Sequence, residues 1–198
     1  MKRIMLTNSN MQEVVTEAAQ IIRAGGLVVA PFDTVYGIIA DPTSHSAINK
    51  INEIKGRPES KTIGLATYEI EQIGNAADLS AENSNFISQK IPGKFTFVLR
   101  ANNANKISDL CKREGTIAVR VPDNELILKI AELSDGFVAQ TSANKSGLPN
   151  CYSVDQISDQ FDGLGQLDFV IDGGELPQSA PSELWDLTGS EPKKIERN

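Results

Sequence analysis

Leu27-Val-Val-Ala-Pro-Phe-Asp-Thr-Val-Tyr-Gly37 decides the reading of this chain. The apolar run from Leu27 to Ala30 has the length and composition of a buried strand and stops at Pro31. Beyond it, small polar residues and a glycine are delivered to the strand end. A helical stretch then finishes at Lys55-Gly-Arg-Pro58. A third segment, Ser142-Ala-Asn-Lys-Ser-Gly147, follows another apolar strand. Backbone at strand ends, with Lys and Arg held nearby by a rigid element, is how phosphate-handling sites are built.

Outward from this stretch, apolar and polar segments alternate. Asn10 and Glu13 have capping-box spacing before a helix carrying Val14, Val15, Ala18, Ile21 and Ile22, which Gly25-Gly26 ends. Leu27 to Phe32 is read as a strand, Ile48, Ile51 and Ile54 as the buried face of a helix, and Thr62 to Ala66 as a strand. Ser80 to Lys90 reads as a helix stopped by Pro92-Gly93. Phe95 to Arg100 and Thr116 to Val121 read as strands. Asp123 is expected to cap a helix with Leu126, Ile127, Ile130 and Leu133 inward. Phe137 to Thr141 is a strand, Ser153 and Gln156 open a short helix, and Asp168 to Ile171 and Leu184 to Leu187 are the last strands. No repeat or linker interrupts the pattern. The expectation is one α/β domain over residues 1–198, a twisted open mixed sheet with flanking helices.

The chain has 198 residues, 40% hydrophobic and 23% charged, with a net charge of -7. Those proportions describe an ordinary globular protein with a substantial core. The acidic total argues against a broad nucleic-acid surface, while an acidic exterior around a cationic cleft would focus an anionic ligand into it. Cys111 and Cys151 form no CxxC pair, and with His45 as the only histidine a zinc site lacks ligands, so no metal held by the protein is expected. No apolar run approaches a membrane span or a signal-peptide core, and the cytoplasm is the expected compartment.

Lys55, Arg57 and Lys61 cluster around Pro58. Cations at a helix C-terminus commonly stay solvated and complement its dipole, but the glycine and proline here fix a defined loop. Ser142 and Asn144, two apart in an extended segment, can face one cavity or bond their own turn. His45, beside Ser44 and Ser46 at a helix start, reads as a surface or capping residue, so a histidine triad is not expected. No nucleophile elbow is present, and both G-x-x-x-x-G-K-[ST] and G-x-G-x-x-G are missing.

These segments, together with Ala118-Val-Arg-Val-Pro122, Pro92-Gly93 with Thr96, Asp172-Gly-Gly174 and Pro181-Ser-Glu-Leu-Trp-Asp-Leu-Thr-Gly189, resemble the YrdC-like threonylcarbamoyl-AMP synthases from about Val14 to Gly189. The tail looks like the short bacterial TsaC type, without the extra C-terminal domain of longer relatives. Phe32 stands where a threonine is usual, and Ala66 where many long members have a histidine. The resemblance implies a reaction of L-threonine, bicarbonate and ATP that yields threonylcarbamoyl-AMP and pyrophosphate, with Mg2+ arriving on the ATP. It implies Lys55 and Arg57 as catalytic cations on the triphosphate, supported by Lys61, with Thr116, Ser142 and Asn144 also toward ATP. Thr34, Arg120 and Ser182 would orient threonine, with Arg120 on its carboxylate, and Tyr36 either walls the pocket or packs. The product would pass to a separate complex that threonylcarbamoylates transfer RNA, and transfer RNA itself is a candidate ligand. Two alternatives are a non-catalytic RNA-binding module and a carbamoyl-handling domain with another acceptor amine.

Overall fold

The computed structural model describes residues 1–56, 62–102, 104 and 106–196. In chain order the strands are β1 (Lys2–Met5), β2 (Val28–Pro31), β3 (Tyr36–Ala40), β4 (Gly64–Thr67), β5 (Phe95–Arg100), β6 (Lys112–Arg113), β7 (Thr116–Arg120), β8 (Phe137–Ser142), β9 (Phe169–Asp172), β10 (Glu183–Asp186) and β11 (Lys193–Ile195). The helices are α1 (Met11–Arg23), α2 (His45–Lys55), α3 (Ile70–Ala76), α4 (Ala81–Ser88), α5 (Glu125–Leu133) and α6 (Val154–Gln160). The strands form one mixed sheet in the order β1-β9-β2-β3-β8-β4-β7-β5-β10-β11, with β6 beside β7.

Strand alternation sorts side chains onto two faces. Leu27, Val29, Ile38, Leu65, Phe97, Val119 and Ala139 point to a face covered by α2, α3, α4 and α6, which bury Ile48, Ile51, Ile73, Ile87 and Ile157 there. Val28, Ala30, Ile39, Ala66, Val138, Phe169 and Ile171 point the other way, into a second cluster under α1 and α5. Each fully buried Ile, Leu or Phe in these layers contributes roughly 1.5–3 kcal/mol. The two helices cover only part of the second face. Where they stop, the outward positions change from Val and Ile to Gly37, Gly64, Ala118, Thr96 and Ser142, and a concavity opens.

The ends of the helices are set by local chemistry. The Ser44 hydroxyl accepts the Ala47 N–H (3.2 Å) at the start of α2, and Gly56 closes it in the left-handed region at φ 57°. Ser153 caps α6 by accepting the Gln156 N–H (3.3 Å), as its spacing predicts. Two expected caps differ. The Asn10 side chain turns back to the preceding loop, accepting from the Thr7 N–H (2.8 Å) and donating to the Met5 carbonyl (2.9 Å). Asn124, not Asp123, caps α5 by accepting the Ile127 N–H (3.1 Å), and Asp123 lies one residue too early.

Pro31 to Gly37 is the tip of a hairpin. β2 and β3 pair antiparallel, with Pro31 opposite Tyr36, and the Phe32 N–H donates to the Val35 carbonyl (3.1 Å). Gly37 is required there, since a Cβ would lie 2.7 and 2.9 Å from the Phe32 ring carbons. Tyr36 is fully buried. Its hydroxyl donates to the Gly174 carbonyl (2.7 Å) and accepts from the Gly173 N–H (2.8 Å), so its role is packing. Arg3 completes this anchor by pairing with Asp172 (2.7 Å), tying the outermost strand to the hairpin.

Candidate functional site

The concavity has a volume of about 430 Å³, within the range of small-molecule sites. Gly37 of β3, Gln140 and Ser142 of β8, Gly64 of β4, Ala118 and Arg120 of β7, Thr96 of β5 and Leu184 of β10 form its floor. Phe32 and Thr34 of the hairpin tip, Asn150 and the segment Pro181-Ser182 form its rim. Small residues on five neighbouring strands, Gly37, Ser142, Gly64, Ala118 and Thr96, make the space, because a Val or Ile there would fill it.

Arg120 is 3% exposed, and its charge is met by a residue that the sequence reading passed over. Nη2 donates to both carboxylate oxygens of Asp33, at 2.6 and 2.7 Å. The Phe32 ring lies 5.9 Å from the guanidinium carbon. Asp33 also accepts the Asp123 N–H (3.4 Å), so the hairpin tip is clamped to the end of β7. The pair holds a buried cation at one end of the cavity, and such a cation is costly unless paired. Thr34 and Ser182 are buried at the same rim, and the Ser179 hydroxyl donates to the Thr34 carbonyl (3.1 Å).

Ser142 lies at the other end. Its hydroxyl donates to Asn144 Oδ1 (2.5 Å), and the Asn144 amide donates to the Lys145 and Leu148 carbonyls (3.0 and 2.8 Å). Asn144 is buried and holds the turn, the local bonding that its residue type favours. Lys55 is not the solvated helix-end cation of the simplest reading. It is 4% exposed, and its ammonium donates to the carbonyls of Ser142 and Asn144, the latter at 2.6 Å. Its own carbonyl accepts the Ser146 N–H (2.8 Å). The end of α2 is thereby fixed to the turn after β8, and Lys55 stands behind the cavity wall. Beside it the Cys151 thiol is pushed up to about 11, because burial outweighs the opposing charge of Lys55.

Thr34, Arg120, Ser142 and Ser182 therefore meet around one cavity, with Asn144 and Lys55 supporting it. Thr116 is at the far end of β7, on the same face as Ala118 and Arg120, with its hydroxyl donating to the Arg113 carbonyl (2.7 Å). Arg57 and Lys61 lie outside the described residues. His45 is exposed at the start of α2, 3.1 Å from the Asn49 amide. Among the described residues no carboxylate lines the cavity, and no group of three or more His, Cys, Asp or Glu could hold a metal ion. No helix among them is long and apolar enough to cross a membrane.

Residues 20–198 match the model of the Sua5/YciO/YrdC family, described as "telomere recombination". The chain is 32% identical over 187 residues to the threonylcarbamoyl-AMP synthase of Shigella boydii, covering 92% of this chain and 96% of that protein. It is 34% identical over 177 residues to the threonylcarbamoyl-AMP synthase of Pyrococcus abyssi, covering 86% of this chain but spanning only half of that longer protein. The crystal structure of P. abyssi Sua5 complexed with L-threonine superimposes with a TM-score of 0.86 at 31% identity, over 98% of this chain and 56% of that one. With the family model covering most of its length, the chain belongs to the Sua5/YciO/YrdC family.

Proposed function

We propose that this chain condenses L-threonine, bicarbonate and ATP to threonylcarbamoyl-AMP and pyrophosphate. The observation that carries the reading is the cavity itself. A paired arginine sits at one end, a serine hydroxyl on a fixed turn at the other, and among the described residues no acid, histidine or cysteine lines the space between them. A site so furnished supplies position and charge, and none of its described lining residues is a base that would activate a serine or threonine hydroxyl, which suits a reaction whose nucleophile is a substrate. The near full-length similarity to bacterial proteins named threonylcarbamoyl-AMP synthase points to the same reaction.

In this reading the threonine amine bonds the carbon of bicarbonate and water leaves, giving a carbamate. A carbamate oxygen then bonds the α-phosphorus of ATP, the bond from that phosphorus to the bridging oxygen breaks, and pyrophosphate leaves with the electron pair. Arg120, held by Asp33, receives the threonine carboxylate, and Thr34 and Ser182 orient its amine and hydroxyl. Ser142 meets the nucleotide, on the turn that Lys55 and Asn144 hold. Arg57 and Lys61, and Thr116 at the end of β7, are assigned to ATP beside Ser142, whereas Lys55, which the resemblance puts on the triphosphate, acts on it with Asn144 through the turn that they hold. With no carboxylate among the described residues of the cavity wall, Mg2+ would be carried by phosphate oxygens and water. The product would serve a separate enzyme complex acting on transfer RNA. The test is pyrophosphate release. It should require threonine and bicarbonate together, and release that ignores either would refute the reading.

A further inference from the structure

Gln140 occupies the middle of the cavity floor. Along β8 the residues Val138, Gln140 and Ser142 face the same side in succession, about 6–7 Å apart. Val138 pairs across β4 with Ala66, and Ala66 with Arg120, so that row marks the arginine end. Ser142 pairs with Gly37, and that row marks the serine end. Gln140 pairs with Gly64 between them. A Cβ on Gly64 would lie 3.0 Å from the Gln140 amide nitrogen, so the carboxamide lies over the bare backbone of β4.

The side chain is half-buried, and its carboxamide makes no hydrogen bond with a described residue. An amide kept at the centre of a cavity has two N–H donors and one acceptor to offer a ligand. Neighbours on the floor, Gly64 and Ala118, carry no polar side chain that could do this instead.

We infer that Gln140 is a catalytic residue, donating a hydrogen bond to the oxygens at the junction where the carbamate meets the α-phosphate. The inference rests on the reaction proposed above and adds a residue to it. Threonine bound at the Arg120 row and nucleotide bound at the Ser142 row must join over the row between, and among the described residues that row offers one side-chain donor. Charge develops on these oxygens only as the new bond forms and pyrophosphate departs. A donor placed there acts on the transition state more than on either bound substrate.

The test uses the purified chain with Gln140→Leu, which keeps the bulk, and Gln140→Glu, which keeps the shape but replaces the donors with an anionic acceptor. At saturating substrates, pyrophosphate release should fall on the order of a hundredfold in Gln140→Leu and further in Gln140→Glu. The calorimetric Kd values for threonine alone and for ATP alone in Gln140→Leu should stay within about threefold of wild type, a split expected of a group acting in the transition state. A kcat within about threefold of wild type in Gln140→Leu would overturn the inference. So would a preserved kcat with a weakened Kd for either substrate, because that places Gln140 in ground-state binding. If the wild-type chain releases no pyrophosphate, the proposed reaction falls and takes this role with it. If wild type turns over and the variants match it, only the role of Gln140 falls.

Discussion

Neutralising both partners of the Asp33–Arg120 pair should destabilise the protein far less than the sum of the two single losses. The two side chains are 5% and 4% exposed, and Nη2 lies 2.6 and 2.7 Å from the carboxylate oxygens. Removing one partner of such a pair leaves a buried charge uncompensated, at a cost of about 3–5 kcal/mol. Asp33→Asn keeps an acceptor near the guanidinium and should sit at the low end. Arg120→Met leaves the carboxylate with the Asp123 N–H at 3.4 Å and should sit at the high end. In the double variant neither charge remains, so its stability should be no lower than that of Arg120→Met, although adding the two losses would give roughly 6–10 kcal/mol. Urea unfolding is the assay, followed by the fluorescence of Trp185, the only tryptophan, which packs edge-on against Phe86 at 5.0 Å. Threonine binding should be lost in the double variant even though it folds. Additive losses would refute the argument, since they would mean that the two groups do not sense each other.

Other outcomes follow from the same geometry. Arg120→Ala should raise the threonine KM more than the ATP KM, and equal weakening of both would assign Arg120 to the phosphates. Lys55→Ala should lower both stability and turnover, because it removes the ammonium that joins α2 to the Ser142–Asn144 turn; a variant as stable as wild type would mean that the contact is dispensable. Burial pushes the Tyr36 hydroxyl up to about 12, so the stability it contributes is complete below about pH 10 and is lost as pH rises toward its folded value. Tyr36→Phe should therefore flatten the alkaline limb of the stability curve while costing about 1–3 kcal/mol at neutral pH, and an unchanged alkaline limb would contradict this. Cys111 and Cys151 are buried, with thiols raised to about 12 and about 11, chiefly by desolvation, so neither should react with a thiol reagent at pH 7 until the chain is unfolded.

How legible this was in the sequence depended on how local the signal is. The buried strand at Leu27 and the helices through Ile22, Ile51 and Ile130 announced themselves because periodicity is carried by neighbours in the chain. β3 carries no assignment from the sequence, because Gly37 interrupts the apolar run Tyr36 to Ala40 and its pairing with β2 depends on the turn between them. β1 was missed as well. It is a four-residue edge strand, largely exposed, whose pairing with β9 joins residues far apart in sequence. Ser142 could be found from a strand end and Arg120 from the family resemblance, but Asp33 could not. A carboxylate in a turn looks like turn chemistry until the fold brings in a guanidinium from 87 residues away. Lys55 illustrates the reverse case. Its place at a helix end suggested solvent or, by the family resemblance, a triphosphate, and only the docking of the Ser142 turn reveals two carbonyls waiting for it.

The central claim is that the nucleophile comes from the substrates and that the protein supplies position and charge without forming a covalent intermediate. Incubating the chain with ATP, L-threonine and carbon-13 bicarbonate, and following both small molecules and intact protein by mass spectrometry, tests it directly. The account predicts a threonine-dependent adenylate carrying the labelled carbon, stoichiometric with pyrophosphate, and a protein mass that never changes. Adenylate without the label, consumption of ATP that does not depend on threonine, or a mass increase located on Ser142 during turnover would contradict it.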